Sequence, residues 1–372
     1  MEKKMICKSC RRSDTKRIQV IVISAILICI STLACNNNVD RNEKTVIKLK
    51  FSYSGMPMEP PALTATHMLD LVEAKTNGRV KIQRFMGGSL GNSLEHLDLV
   101  SSGAVDIISL QFDQFPENLP LHMILNTEHL ATGKQALENN IALTRNIPET
   151  AALLAAEETQ NNIKVLYWNV QGSTGITTRY PATSLNDLKG KKINVVAGYQ
   201  RDVFNDLGII PVNVQVPEIY ESMSRGVIDT IFMANAAVIP LKWYELGNTH
   251  LSLGHNNVLS QAITLNLDAW NRLPGDIQRA FTEASEETAQ WSIGEAAGIE
   301  RETYDAFRKS GVNIVELPTE EINTFFNILF KHSLANWRKI CEKKGVLDKA
   351  AVIEKYWNEM KWGNAREIKE DG

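Results

Sequence analysis

Residues 99–108 (LVSSGAVDII) and 222–231 (SMSRGVIDTI) carry the same succession of types: a helix end, a glycine, an aspartate and the opening of a strand. Glycine just past a helix accepts the left-handed backbone that satisfies the last carbonyls, so each stretch reads as a helix stop feeding a strand. The first closes a β-α-β-α-β series: strand 46–52, helical spacing over 60–72 (Leu63, Met68, Leu69, Val72), strand 79–85, helix 93–101 and strand 105–110. Around the second, strand 192–196, helix 200–207, strand 209–214, helix 217–224 opened by Pro217, and strand 229–233 repeat the rhythm. A plan used twice requires two similar α/β lobes with mostly parallel sheets.

Residues 126–159 read as helices and 163–169 as the strand that feeds the passage between lobes. The stretch 172–196 (GSTGITTRYPATSLNDLKGKKINVV) reads as the crossover, and it would line the gap where open α/β sheets bind small molecules. Residues 261–267 (QAITLNL) read as a strand returning to the first lobe. One long helical pattern, 274–309, is expected to span both lobes, and helices over 319–344 and 348–362 close the chain. The expected fold class is α/β, a two-lobed, hinged clamshell with a long helix spanning the lobes. Its expected parts are lobe 1 over 46–170 with returning segments from about 261–372, and lobe 2 over 171–260.

The N-terminus reads as an export signal over 1–34. Lys3, Lys4, Lys8, Arg11, Arg12, Lys16 and Arg17, against Glu2 and Asp14, precede the apolar run 20–30 (VIVISAILICI). That run is shorter than the roughly 20 residues a spanning helix needs. Thr32, Leu33, Ala34 and Cys35 resemble a bacterial lipobox, with Thr32 departing from the usual leucine, so Cys35 is the expected lipidation site. An uncleaved anchor of the same orientation is the alternative. Polar residues 35–45 suit a tether between membrane and folded body. Of five cysteines, Cys7, Cys10 and Cys29 would leave with the signal and Cys35 would be acylated, leaving Cys341 alone; Cys7 and Cys10 lack the second pair a zinc site needs.

With 44% hydrophobic and 22% charged residues over 372 positions, and a net charge of -3, the chain lacks the general basic footprint of a nucleic-acid binder. Its seven histidines are scattered, no H-E-x-x-H or G-x-S-x-G occurs, and no enzyme, metal site or cofactor is expected. His96 reads as a surface or satisfied residue. The adjacent pairs Glu157–Glu158 and Glu286–Glu287 read as solvated helix faces. The glycines of 87–91 read as a turn rather than a phosphate cradle, because G-x-G-x-x-G and a Walker lysine are missing.

At 85–91 (FMGGSLG), 102–107 (SGAVDI), 187–193 (DLKGKKI), 217–229 (PEIYESMSRGVID) and 267–274 (LDAWNRLP) the chain resembles the extracytoplasmic solute-binding proteins of tripartite ATP-independent periplasmic (TRAP) transporters, the DctP family. The resemblance covers about 46–357. It implies a periplasmic-binding-protein clamshell without catalysis, exported to the periplasm or the outer face of the cytoplasmic membrane, that captures a small-molecule solute and hands it to TRAP permease membrane subunits.

Family members mostly clamp an organic acid with arginine. The position of the usual clamping arginine is Asn194 here, and that of a second is Thr174. The other pocket positions fall on Ser54, Gln111, Gln114, Ala197, Val216 and Met233, all neutral. Arg201, Lys192 and Arg179 are the candidate substitute cations. The resemblance with these departures implies a neutral or weakly anionic ligand; the alternative makes Asn194 and Thr174 structural, with the ligand held elsewhere in the cleft. A sensor presenting its ligand to a receptor kinase and an exported enzyme are the competing functional readings.

Overall fold

The computed structural model describes residues 46–127, 130–170, 172–195, 198–254, 256 and 261–360. The unit that begins at Ile47 is described below. The signal, the tether and Cys35 therefore lie outside the described residues, as do Ala197 and the last residues of the expected closing helix. No helix among the described residues is long and apolar enough to cross a membrane.

In chain order the first lobe builds β1 (Ile47–Ser52), α1 (Pro60–Lys75), β2 (Val80–Phe85), α2 (His96–Ser101), β3 (Ile107–Gln111), α3 (Gly133–Ile141), α4 (Pro148–Gln160) and β4 (Ile163–Trp168). The second builds β5 (Thr174–Thr178), β6 (Lys192–Val195), α5 (Gly198–Asp206), β7 (Ile210–Asn213), α6 (Ile219–Ser224), β8 (Thr230–Ala234) and β9 (Thr249–Ser252). Then come β10 (Gln261–Asn266), α7 (Leu267–Arg272), α8 (Gly275–Lys309), β11 (Asn313–Glu316), α9 (Thr319–Lys343) and α10 (Leu347–Glu359). The strands form two sheets, ordered β2-β1-β3-β10-β4 and β11-β9-β5-β8-β6-β7.

Each sheet is parallel except for one strand, and crossing explains which. β4 ends at the carboxyl edge of the first sheet and β5 enters the second sheet at its carboxyl edge, so β5 runs antiparallel to β8 and β9. β9 likewise ends at that edge, and the returning β10 runs antiparallel to β3 and β4. Two crossings thus join the edges at which parallel strands end. The passage is shorter than the expected 172–196: from Thr174 onward the chain is already laddered into the second sheet, because β5 needs both β8 and β9 as neighbours. Pro181 is exposed beyond the opposite end of β5.

The sequence echo has a structural counterpart. Gly103 (φ 76°) and Gly226 (φ 74°) both take the left-handed backbone. Asp106 Oδ2 accepts the Lys50 N–H of β1 at 2.8 Å, and Asp229 Oδ2 accepts the Lys192 N–H of β6 at 2.9 Å. Each aspartate ties its own strand to the neighbouring one before the ladder begins, the same solution in both lobes.

Three buried clusters hold the unit together. The first packs sheet one against α1, α2, α8 from Ile277 to Ala296 (Ile277, Phe281, Ala284, Ala289, Ala296) and the last half of α9 (Leu334, Trp337, Cys341). The second packs β5, β6 and α5 against the first half of α9 (Ile322, Phe325, Phe326, Leu329), and the third covers the other face of sheet two with Phe307 near the end of α8. Both long helices therefore span the lobes, where one was expected. Burying a phenylalanine at each end stabilises the arrangement by about 1.5–3 kcal/mol per ring. Neither β9 nor β11 was expected; β11 supplies four edge residues, parallel to β9, between two long helices.

Candidate functional site

The carboxyl edges of the two sheets each carry a set of amide side chains. On the first, Gln111 pairs in register with Gln261, and the Asn169 N–H donates to the Gln261 carbonyl at 2.8 Å, so three adjacent strands each end in an amide. Gln114 Nε2 donates to Gln111 Oε1 at 2.9 Å, and Ser109 Oγ donates to Gln261 Oε1 at 2.9 Å. Ser54 follows β1 at the same edge and is half-buried. On the second sheet, Asn235 follows β8 and its N–H donates to the Ser173 carbonyl at 2.8 Å. Thr174 donates through both N–H and Oγ1 to Asn256 Oδ1, each at 2.8 Å, and Asn256 Nδ2 returns a bond to the Thr174 carbonyl at 3.0 Å.

Several of these amides are incompletely used. Both polar atoms of the Asn169 side chain, Nδ2 of Asn194, Oδ1 of Asn235 and Oε1 of Gln114 are buried without a hydrogen-bond partner. Asn169, Asn194 and Asn235 are 4%, 1% and 2% exposed. A buried polar atom left unpaired costs about 1–3 kcal/mol, so these five atoms on the two edges call for partners outside the protein's own side chains, a guest or ordered water.

The expected residues distribute unevenly. Asn194 sits in β6 with Oδ1 accepting the Phe232 N–H at 2.8 Å. Met233 lies in β8 opposite Gly175 of β5, and Val216 opens the turn after β7, both partly buried against the third cluster. Thr174, Asn194, Val216 and Met233 thus share the second edge, while Ser54, Gln111 and Gln114 share the first. Of the candidate cations, Lys192 opens β6 at the opposite edge with Nζ on the Gly226 carbonyl at 2.7 Å, and Arg179 follows β5 there with its guanidinium on the Met223 carbonyl at 3.0 Å. Arg201 alone of the three stands at the carboxyl edge, exposed in the first turn of α5.

Asn169, Asn235, Asn256, Gln261 and Asp113 were not singled out from the sequence. Lone amides in crossovers carry no motif; only strand register brings them together. Asp113 lies in the 3-10 turn after β3, exposed to solvent, yet desolvation by the surrounding walls pushes its carboxyl up to about 6 against the pull of its own and the Gln114 backbone N–H groups. Gly175 lets His250 and Asn235 crowd the second edge: a Cβ there would stand 2.7 Å from His250 Nε2 and 2.9 Å from Asn235 Oδ1. His250 is buried and its pKa is pushed down to about 3 by desolvation, so it is neutral.

Behind the first edge the structure corrects one expectation. Glu157 and Glu158 are not on a solvated face but are 5% and 8% exposed. Glu157 Oε2 lies 2.7 Å from His122 Nδ1 and Glu158 Oε1 3.5 Å from its Nε2, and Glu157 also accepts the Leu121 and His122 N–H groups. Burial works against charge on His122, but hydrogen bonds to Glu157 and then Glu158 raise its pKa to about 9. His122 packs 5.3 Å from the Phe112 ring, which begins the turn carrying Asp113. The glycines at 87 and 88 spend their N–H groups on the Gly55 and Tyr53 carbonyls, which leaves a turn and no phosphate cradle. No group of three or more metal-ligating side chains converges among the described residues.

The model of the DctP family, bacterial extracellular solute-binding protein family 7, matches residues 51–339. The chain belongs to this family. Among its relatives, the C4-dicarboxylate-binding protein DctB of Bacillus subtilis is 25% identical over 281 residues, covering 74% of this chain and 78% of DctB. The C4-dicarboxylate-binding periplasmic protein DctP of Rhodobacter capsulatus is 23% identical over 278 residues, 74% of this chain and 82% of its own. A TRAP periplasmic solute-binding protein of Rhodobacter sphaeroides, solved in an apo open form, superposes with a TM-score of 0.72 at 20% identity, covering 85% of this chain and all (100%) of its own. The two sheets match the two-lobed fold of TRAP solute-binding proteins.

Proposed function

We propose that this DctP-family protein captures a small polar solute between the two amide-lined edges and delivers it, chemically unchanged, to a TRAP-type permease driven by an ion gradient. In this reading Cys35 carries the lipid that holds the protein at the outer face of the membrane, with 35–45 as tether. Ligand contact with both lobes would favour the closed form, since a guest shifts the hinge only by as much as it binds the closed state better.

The observation that carries the reading of the guest is Asn194. In the resemblance drawn from the sequence it takes the position of the clamping arginine, its Oδ1 is committed to the Phe232 N–H, and its Nδ2 is buried and unpaired. A carboxylate docked there would lack a bidentate charge-assisted pair, which contributes about 1.5–3 kcal/mol. Thr174, the second such position, has both its N–H and its hydroxyl proton committed to Asn256 Oδ1. The solute is therefore read as neutral or weakly anionic, held by Asn194, Gln111, Gln114 and Ser54 with Val216 and Met233 as apolar contacts. Mass spectrometry of protein purified natively tests the role: a retained small molecule released intact supports it, and release of a chemically altered product argues for catalysis instead.

A further inference from the structure

We propose that the open face of β1 and β2 docks on an anionic lipid surface, an inference that rests on the lipid-anchor part of the reading above. Side chains alternate across a strand, and the parallel register pairs Lys48 with Lys81 and Lys50 with Gln83. All four are exposed, while the intervening Leu49 and Ile82 are buried in the core. Three lysines and a glutamine therefore share one solvent-facing surface, a groove whose lining also includes Glu73 and Asp106.

The two carboxylates do not neutralise this face. Glu73 of α1 accepts the Ile82 N–H through Oε1 at 2.6 Å and holds Lys81 Nζ at 3.6 Å through Oε2, while Asp106 Oδ2 is taken by the Lys50 N–H. Lys50 Nζ reaches only the Ala104 carbonyl, at 3.4 Å, and neither Lys48 nor Lys50 forms an ion pair among the described residues. Like charges directly opposite each other in a ladder are destabilising, so the pairing of Lys48 with Lys81 calls for an anionic partner outside the fold. Guarding an edge strand against stray pairing accounts for Lys81 on β2 but not for Lys48 and Lys50, because β1 has a neighbour on each side. The chain itself brings the partner near. β1 begins at Ile47, and residues 36–46 separate it from Cys35. Such a length reaches at most about 36–40 Å extended and about 17–20 Å as a flexible coil. Attraction between lysines and an anionic leaflet acts over a Debye length, about 8 Å at physiological salt, and a tether this short lets the face enter that layer. The tether carries Asp40 and Glu43 against Arg41 and Lys44, so it brings no net charge of its own to cover the lysines.

The mature acylated protein, extracted from membranes and reconstituted in vesicles, tests the proposal. Flotation with vesicles of phosphatidylcholine alone reports the anchor, and acetylation of lysine amines, read by mass spectrometry, reports the face. Lys48, Lys50 and Lys81 are expected to react at least about fivefold more slowly when the vesicles also contain phosphatidylglycerol, the factor that one lysine near an anionic surface gains. The difference should vanish in about 1 M salt, where the Debye length falls to about 3 Å. Lys339 on α9 and Lys349 on α10, both exposed, should react alike on the two kinds of vesicle. Equal rates for the three lysines on both vesicles, whether free or protected, or equal slowing of Lys339 and Lys349, overturns the proposal; retention on phosphatidylcholine then leaves the anchor standing. Protein that floats with neither vesicle overturns the anchor reading and this inference with it, so the two failures are told apart.

Discussion

Asn194 Oδ1 accepts a hydrogen bond from the backbone N–H of Phe232 at 2.8 Å, and the nitrogen of the same side chain is buried with no partner. The two residues sit on β6 and β8, whose register gives one pair, Ile193 with Thr230. As the strands part toward the carboxyl edge, the side chain replaces a missing ladder bond. Asn194 thus has a structural bond on one atom and a vacancy on the other. Asn194→Ala is expected to destabilise the protein by about 1–3 kcal/mol in urea unfolding, because the Phe232 N–H is orphaned. Solute binding by the variant must be compared at a temperature where it remains folded.

Gly175 of β5 has no room for a side chain: a Cβ there would stand 2.7 Å from His250 Nε2 and 2.9 Å from Asn235 Oδ1. Gly175→Ala places a methyl against the His250 ring, and such overpacking costs about 1–3 kcal/mol. Thermal unfolding should show the loss, and the solute-induced shift in midpoint should shrink as well, since Asn235 is displaced. A variant of wild-type stability would mean that the space over Gly175 is open.

His122 makes stability depend on pH. Its folded pKa of about 9 lies above the ordinary 6.5, so the protonated form is bound more tightly by the fold; the contribution is complete below pH 6.5 and is lost as pH rises toward 9. The loss is on the order of 3 kcal/mol over that window. Denaturant unfolding at several pH values should show this slope, and His122→Gln should abolish it while lowering stability at pH 6 by about 3–5 kcal/mol.

Under the proposed lipidation of Cys35, Cys35→Ser is expected to shift the protein from the membrane to the soluble fraction on cell fractionation, because acyl chains would supply the anchoring energy at about 0.8 kcal/mol per buried methylene. Retention in the membrane would favour an uncleaved apolar segment.

Much of the architecture was legible because it is local. The glycine and aspartate of each echo announce a helix stop and a strand start, and both aspartates do the same work in the structure. The site was legible only in part. Asn194 and Thr174 were reached through resemblance, whereas Asn169, Asn235, Asn256 and Gln261 acquire meaning from register between strands far apart in sequence. Glu157 and Glu158 were misread because adjacent glutamates on a helix usually face water; a lone histidine 35 residues away, folded over them, reverses that. β11 escaped because four residues between long helices show too little alternation to stand out.

Calorimetric titration with succinate and malate, beside the solute that the protein carries through native purification, tests the account most directly. Capture without a cationic clamp predicts that the carried solute binds and the dicarboxylates bind weakly or not at all. Tight dicarboxylate binding, undiminished in Asn194→Ala, would contradict it.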